Sequence, residues 1–462
     1  MEENVKIEVD SKGRKLENPM GYAPLFPLIM KMSLPSMFAM LISALYNIVD
    51  SIYVARLSED ALSAVSLVYP IQLLNIAVCV GTGVGLSSLI SRRLGEKRLD
   101  DAENAVNHGL VLANLEYLVF LLFGIFGSGW FCRAFSTDAA LVEPATTYCT
   151  IVCIGSVFIF NALAAERSMQ ACGNMLYPMF SQVIGSVVNI ILDPIMIFGY
   201  FGCPAMGVKG AAIATVIGQA CSMIASYIFF NIKDKFPIKM HLKEFKFDLQ
   251  TVKDIYEVAL PAMVMQSITA ITTIAQNKIL IGFSSTAVAV LGAYFKLQSF
   301  AFMPVLGLNQ GVMPIMGFNY GARNKKRLLD TLKDSLILAV GIMIFCLLIF
   351  QLLPDKILLL FKPSEEMMTM GCKALRTISW CFPFAALSII PGAMFQATAH
   401  GIYSMICSIL RQIVLIIPIA YFLSKVIGVD GVWLSYVLAE GSALIYTWIM
   451  VIRLYKREIK NL

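Results

Sequence analysis

Long apolar runs, separated by short polar segments, fill the chain from residue 24 onwards. A helix needs ~17–25 apolar residues to cross a bilayer, and each run is long enough. The twelve runs lie near residues 24–55, 63–90, 104–127, 141–165, 174–200, 208–231, 254–283, 287–318, 331–353, 370–398, 403–424 and 430–452. This pattern predicts an all-α membrane protein with twelve transmembrane helices.

The second half of the chain repeats the first. The segment SLPSM at 33–37 matches ALPAM at 259–263, an offset of 226 residues, and the same offset relates Gly95 to Gly321. Both glycines open a basic loop. The repeat predicts two pseudo-symmetric six-helix lobes related by an axis along the membrane normal, an arrangement typical of transporters that work by alternating access.

Polar segments mark the expected domain boundaries and the topology. We expect a cytoplasmic tail, a lobe, a cytoplasmic linker, a second lobe and a second cytoplasmic tail, at residues 1–23, 24–231, 232–253, 254–452 and 453–462. Lysine and arginine gather in the tails, in the linker and after the second and eighth runs. The positive-inside rule therefore places both termini in the cytoplasm.

Composition supports this class and excludes others. The 462 residues are 58% hydrophobic and only 14% charged, far more apolar than a soluble domain. The net charge of +6 comes from the loops, so no nucleic-acid partner is expected. Eleven scattered cysteines and three histidines indicate neither a disulfide framework nor a metal centre. The first 20 residues are polar, so we expect no cleavable signal and insertion through the first helix.

An acid inside the first apolar run is the main candidate for chemistry. Asp50 shares a helix face with Tyr46, four residues earlier. A charge near the bilayer centre costs ~2.5–3.5 kcal/mol, and such acids commonly mark proton paths or substrate sites. Pro35, in the same run, predicts a kink that can serve as a hinge. The alternative is a kinked core helix in which a neighbouring side chain satisfies Asp50.

The fifth run carries a second acid. Asn189 and Asp193 stand four residues apart on one helix face, and Thr215 in the sixth run reaches a similar depth. Carboxylate, amide and hydroxyl oxygens suit a hard cation, so Asp50, Asn189, Asp193 and Thr215 form a candidate site for a proton or Na⁺. The alternative is that Asp193 only caps a helix end and Pro194 only kinks it.

These stretches resemble the multidrug and toxin extrusion (MATE) family, in its MepA- and DinF-like bacterial branch. The similarity covers nearly the whole chain and is carried by SLPSM, the Tyr46/Asp50 pair, the run NIILDPIMIFG at 189–199 and the run GVKGAAIAT at 207–215. The resemblance implies a cation-coupling network in the N-terminal lobe that bends the first helix at its proline. Its members here would be Pro35, Tyr46, Asp50, Asn189, Asp193 and Thr215.

Candidates for substrate binding lie elsewhere. By resemblance, Glu166 would meet substrate from the cytoplasm, whereas the alternative pairs it with Arg167 at the membrane surface. Lys296, Met303 and Met313 are candidates for the cavity wall, although Lys296 could instead pair with Glu440 and methionines are common packing residues. Gln276 stands at the position equivalent to Asp50. We therefore expect cation coupling in the N-terminal lobe alone.

The resulting hypothesis is an efflux antiporter. It would export organic cations and other amphipathic drugs across a bacterial cytoplasmic membrane in exchange for H⁺ or Na⁺, as a lipid-embedded monomer without a cofactor. The runner-up is a lipid-linked precursor flippase, which would be expected to carry a cationic cavity and extra helices. An enzyme is not expected, because the three histidines, at positions 108, 241 and 400, lie at span ends or in loops.

Overall fold

The computed structural model describes residues 17–232, 235–240, 245–361 and 363–462. All regular secondary structure in these ranges is helical. The predicted all-α membrane fold is therefore confirmed. The first 16 residues and part of the predicted linker, including His241, lie outside the described residues.

Six long helices form the N-terminal lobe: α1 (Leu25–Ala55), α2 (Glu59–Gly95), α3 (Leu99–Leu122, continued through a π-helical Phe123–Gly127 into Ser128–Phe135), α4 (Ala139–Ala171), α5 (Leu176–Phe198) and α6 (Val208–Phe230). Polar caps outside the apolar runs set several ends. The Ser58 Oγ accepts a hydrogen bond from the Ala61 N–H at 2.9 Å and starts α2, and Asp138 caps α4 in the same manner. These helices therefore extend beyond the runs predicted from hydropathy.

Six further helices form the C-terminal lobe: α7 (Leu249–Ile281), α8 (Ser285–Gly321), α9 (Lys325–Leu352), α10 (Glu365–Ser379 and Cys381–Ala397), α11 (Gly401–Ile409, a π-helical Leu410–Ile416 and Ile417–Ile427) and α12 (Val429–Arg457). Within the described residues, eleven helices are long and apolar enough to cross a membrane, and α10 makes twelve if its two parts count as one span.

The tenth span is broken, which hydropathy does not predict. Its two parts meet at Trp380 with a bend of 43°. Pro383 stands at the third position of the second part. Because proline has no N–H, it cannot bond the Ser379 carbonyl one turn earlier, and its ring crowds that carbonyl. The helix therefore changes direction here.

The lobes touch where α1 crosses α8. A Cβ on Gly311 would lie 2.6 Å from the Ser33 Oγ, and a Cβ on Gly307 would lie 2.6 Å from the Met37 Cα. Two glycines four residues apart on α8 thus let the backbones approach as closely as small residues allow. The contact brackets Pro35, so the candidate hinge of the first lobe packs directly on the second lobe.

A second pair of contacts follows the repeat. A Cβ on Gly95 of α2 would overlap the Phe318 carbonyl of α8, and one on Gly321 of α8 would overlap the Arg92 carbonyl of α2. These glycines are the pair related by the 226-residue offset. The ends of α2 and α8 around Gly95 and Gly321, with the start of α7 at Thr251, form a region that we call the contact end.

Polar bonds hold the contact end together. Arg93 donates to the Thr251 Oγ1 at 2.9 Å and lies 3.6 Å from the Asp254 carboxylate. The Asp248 backbone N–H donates to the His108 ring at 2.9 Å. The hydrogen bond from the Thr251 hydroxyl lowers the pKa of the Asp248 carboxyl, which therefore stays charged. Deeper in the bundle, the Tyr256 hydroxyl of α7 donates to Glu116 of α3 at 2.7 Å.

Candidate functional site

Two acids from different helices meet inside the N-terminal lobe. Asp50 of α1 and Asp193 of α5 lie within hydrogen-bonding distance of each other through their carboxyl groups. Asp193 is fully buried and Asp50 is partly buried. The Asp50 Oδ1 is also buried and has no hydrogen-bond partner among the described residues. Two carboxyl groups in this arrangement can hold one proton between them.

An amide and two hydroxyl groups complete the cluster. The Asn189 amide fits best with its nitrogen donating to the Asp193 Oδ2 at 2.9 Å and its oxygen accepting from the Thr215 N–H at 3.0 Å. The Tyr46 hydroxyl hydrogen-bonds to the Thr215 side chain. The structure thus brings together all five residues that the sequence proposed for cation coupling.

Close helix packing explains how Thr215 reaches Asn189. A Cβ on Gly185 of α5 would lie 2.9 Å from the Gly218 carbonyl of α6, and one on Gly218 would lie 2.7 Å from the Gly185 carbonyl. The helices therefore touch backbone to backbone one turn from the cluster. On α5 itself, the spacing of four residues aligns Asn189 with Asp193.

The donor set can be tested against the expected cations. Carboxylate and hydroxyl oxygens suit H⁺ or Na⁺. The Asn189 oxygen, however, faces the Thr215 N–H, so Asn189 would have to turn its amide before it could serve as a Na⁺ ligand. No group of three or more His, Cys, Asp or Glu side chains in the described ranges could hold a metal ion.

Two neighbours of the cluster were missed at the sequence level. Tyr148 of α4 is buried and lies close enough to Asp50 to interact with its charge. Gln72 of α2 donates to the Tyr148 hydroxyl at 3.0 Å. A tyrosine and a glutamine in apolar runs carry no pattern of their own, so only the packing of α2 and α4 against α1 identifies them.

Glu166 lies inside the N-terminal lobe, away from the membrane surface. It is 2% exposed and accepts hydrogen bonds from Gln182 at 2.8 Å, Ser222 at 3.2 Å and Ser226 at 3.4 Å. Arg167 donates to the Gln170 side chain instead. The alternative of a surface Glu166–Arg167 pair is therefore wrong. A substrate would reach Glu166 only if α4, α5 and α6 separated.

Comparison with known proteins assigns the fold to a family. The MatE family model matches residues 35–195 and again residues 261–422, together more than half of the chain. The chain belongs to the MatE family. The two matches begin at Pro35 and Pro261, which differ by the repeat offset of 226 residues. The family model therefore recognises the same internal repeat as the sequence pattern.

Individual relatives agree with the MatE assignment over nearly their full lengths. The chain is 26% identical to the "Multidrug export protein MepA" of Staphylococcus aureus, with 94% of this chain and 95% of the relative covered. A solved structure described as the outward-facing conformation of a multidrug resistance MATE family transporter is 26% identical, with a TM-score of 0.90 over 98% of this chain and 100% of that chain. A MATE structure described as the straight conformation gives a TM-score of 0.89 at 26% identity, over 96% of this chain and 98% of that chain. The protein is thus a MATE-type membrane transporter.

The second MatE repeat encloses a polar cavity in place of an acid pair. Gln276, equivalent to Asp50, is buried and accepts a hydrogen bond from the Tyr436 hydroxyl at 2.6 Å. A cavity of about 430 Å³ lies beside it, between α7, α8, α10, α11 and α12. We call it the C-lobe cavity.

The candidate residues of the second MatE repeat separate in the structure. Met303 lines the C-lobe cavity. Met313 is buried in the core, and Lys296 is exposed, because α8 turns Phe295, Gln298 and Ser299 towards the cavity instead. Glu440 pairs with Arg411 at 3.0 Å. The expected alternative of a Lys296–Glu440 pair is therefore wrong.

Proposed function

We propose that this MATE transporter exports amphipathic organic cations in exchange for H⁺ or Na⁺. The observation that carries the proposal is the Asp50–Asp193 contact, which joins α1 to the rest of the N-terminal lobe. A cation that neutralises this pair changes the balance between attraction and repulsion across the α1–α5 contact. The relatives named as multidrug export proteins support drugs as the exported class.

Helix α1 links that charge change to the second lobe. Its acid end contacts α5, whereas its start around Pro35 packs on Gly307 and Gly311 of α8. A proline within a helix leaves the carbonyl one turn earlier without its backbone hydrogen bond, so bending there is less costly than elsewhere. We propose Pro35 as the hinge that converts cation binding into a change of the interlobe contact.

The remaining assignments follow from this scheme. We propose the bacterial cytoplasmic membrane as the location, with both termini and the 232–253 linker in the cytoplasm. The working unit is a monomer with two lobes, 24–231 and 254–452. Glu166 and Met303 are the proposed substrate contacts that the structure leaves in polar or cavity-lining positions.

The charge of the C-lobe cavity separates export from lipid flipping. A flippase for anionic lipid-linked precursors would be expected to have a cationic cavity. The charged side chains that line the C-lobe cavity are Arg411 and Glu440, which balance each other. This neutrality favours the export of amphipathic drugs.

Efflux from everted membrane vesicles tests the proposal. A fluorescent lipophilic cation is loaded, and a pH gradient and a Na⁺ gradient are applied separately. We expect one of the two gradients to drive accumulation with wild-type protein and neither to do so with Asp50→Asn. Asp138→Asn, at an exposed helix cap where asparagine also caps well, is the matched control. Accumulation that ignores both gradients would contradict the proposal.

A further inference from the structure

The C-lobe cavity has the size and the wall of a ligand site. Its volume of about 430 Å³ lies within the ~300–1,000 Å³ that is usual for small-molecule pockets. Phe295, Phe302, Phe395 and Met303 supply an apolar surface, and glutamine, threonine and serine side chains supply hydrogen-bonding groups. Such a combination suits a flat molecule with one polar end.

Two buried groups on this wall have no partner. The Glu440 Oε2 and the Gln276 Nε2 are buried without a hydrogen bond to any described residue. Glu440 is 7% exposed, and Gln276 is fully buried. A buried polar atom without a partner costs ~1–3 kcal/mol, and here one acceptor and one donor stand on the same cavity. The wall is therefore completed by a molecule that both donates and accepts.

A local irregularity of α11 contributes to this site. Arg411 and Gln412 lie in the π-helical turn Leu410–Ile416 and line the C-lobe cavity. π-Helical turns are rare and frequently occur at functional sites. Arg411 donates one hydrogen bond to Glu440 at 3.0 Å, which leaves further guanidinium N–H groups for another acceptor.

The cavity opens towards the other lobe. Most of its lining is buried, but Gln266 and Thr269 of α7 and Ser299 and Leu306 of α8 are exposed. Helix α7 packs on α2, and α8 packs on α1 and α2. The exposed rim thus lies on the two helices that face the N-terminal lobe, where a transported molecule would pass.

We propose that the C-lobe cavity binds a zwitterionic amphipathic molecule, with Arg411 taking its carboxylate and Glu440 its cationic or donor group. A simple cation is a poorer fit, because it would meet Arg411 without a second acid on the wall, and a simple anion would meet Glu440. The inference rests on the proposed export function for its physiological meaning. The binding site itself does not depend on cation coupling.

Two matched dyes test the site. One is a rhodamine with a free carboxylate, which is a zwitterion, and the other is the methyl ester of the same dye, which is a cation. Fluorescence anisotropy measures their binding to the full-length protein in lipid nanodiscs without any gradient. Arg411→Gln should weaken binding of the carboxylate dye by about ten- to a hundredfold, as expected for a charged hydrogen bond, and the ester by less than about threefold. Glu440→Gln should weaken both dyes.

Controls keep the outcome interpretable. Lys373 and Asp430 form an exposed ion pair in the same lobe, so Lys373→Gln and Asp430→Asn should bind both dyes as wild type does. If Arg411→Gln does not fold, Arg411→Lys keeps the charge but loses the planar fork, and the same selective loss is expected. Equal loss of both dyes in a folded Arg411 variant would show a purely structural ion pair and overturn the proposal. Wild-type protein that binds neither dye would also overturn it, because the cavity would then hold water only.

The result is independent of the export proposal. Asp50→Asn alters the N-terminal lobe and leaves the C-lobe cavity intact, so dye binding should persist while coupled transport is lost. Transport that ignores ion gradients, together with selective dye binding, would overturn the export proposal alone. Coupled transport without Arg411-dependent selectivity would overturn the zwitterion site alone.

Discussion

Tyr46 tunes the acid cluster from α1. Its hydroxyl hydrogen-bonds to Thr215 beside the acids, so Tyr46→Phe keeps the ring packing and removes one hydrogen bond worth about 1 kcal/mol. We expect the apparent affinity for the coupling cation to fall about fivefold while the maximal transport rate stays near wild type. Cation titration of dye efflux measures this. Tyr69→Phe, at an exposed tyrosine of α2, is the control, and an unchanged affinity in Tyr46→Phe would exclude the tuning role.

Residue chemistry within one helix is readable from sequence, whereas contacts between helices are not. The spacing of Asn189 and Asp193 places them on one face, and the structure agrees. The partner of Glu440 depends on how α11 and α12 pack, and a π-helical turn sets the position of Arg411. No local pattern encodes that choice. Tyr148 escaped notice for the same reason.

At the scale of the element, Pro35 is the test of the hinge. Pro35→Ala allows a backbone hydrogen bond to the Lys31 carbonyl, worth about 1 kcal/mol, and favours a straight α1. We expect slower transport with substrate binding retained, because one state becomes trapped. Dye efflux and dye anisotropy on the same preparation separate the two. An equal loss of binding and transport would indicate a folding defect.

Helix existence followed from hydropathy, but helix shape did not. All twelve apolar runs correspond to helices, because each is long enough to satisfy its backbone only as a helix inside a bilayer. The 43° bend of α10 and the π-helical turn of α11 depend on Pro383 and on side-chain packing. A window average of hydrophobicity does not detect either feature.

For the whole molecule, the contact end controls which state is populated. The Tyr256–Glu116 hydrogen bond of 2.7 Å crosses between the lobes. Tyr256→Phe removes it while Thr82 still donates to Glu116 at 2.6 Å, so the state with this contact should lose about 1 kcal/mol, or about fivefold in population. Spin-label distances between the exposed sites Glu96 and Lys326, in a cysteine-free background, measure this. An unchanged distance distribution would contradict the latch.

The two acids also predict the energetics of exchange. Moving one charge through 100 mV is worth ~2.3 kcal/mol, and one pH unit adds ~1.4 kcal/mol. One proton against one monovalent cation leaves only the pH contribution. Two protons leave about 5 kcal/mol, so we expect electrogenic exchange that involves both Asp50 and Asp193. The reversal potential of dye flux measures the ratio. Electroneutral transport, with the ratio unchanged in Asp193→Asn, would make Asp193 a structural cap.

Drug-dependent cation entry into proteoliposomes tests cation-coupled export most directly. Wild-type protein, Asp50→Asn and the control Asp138→Asn are reconstituted side by side, and lumenal pH or Na⁺ is recorded as the dye is added. We predict that dye triggers entry of H⁺ or Na⁺ with wild type and Asp138→Asn, and that a folded Asp50→Asn protein loses this entry at least a hundredfold, about 2.7 kcal/mol. Wild-type cation flux through Asp50→Asn would contradict the account.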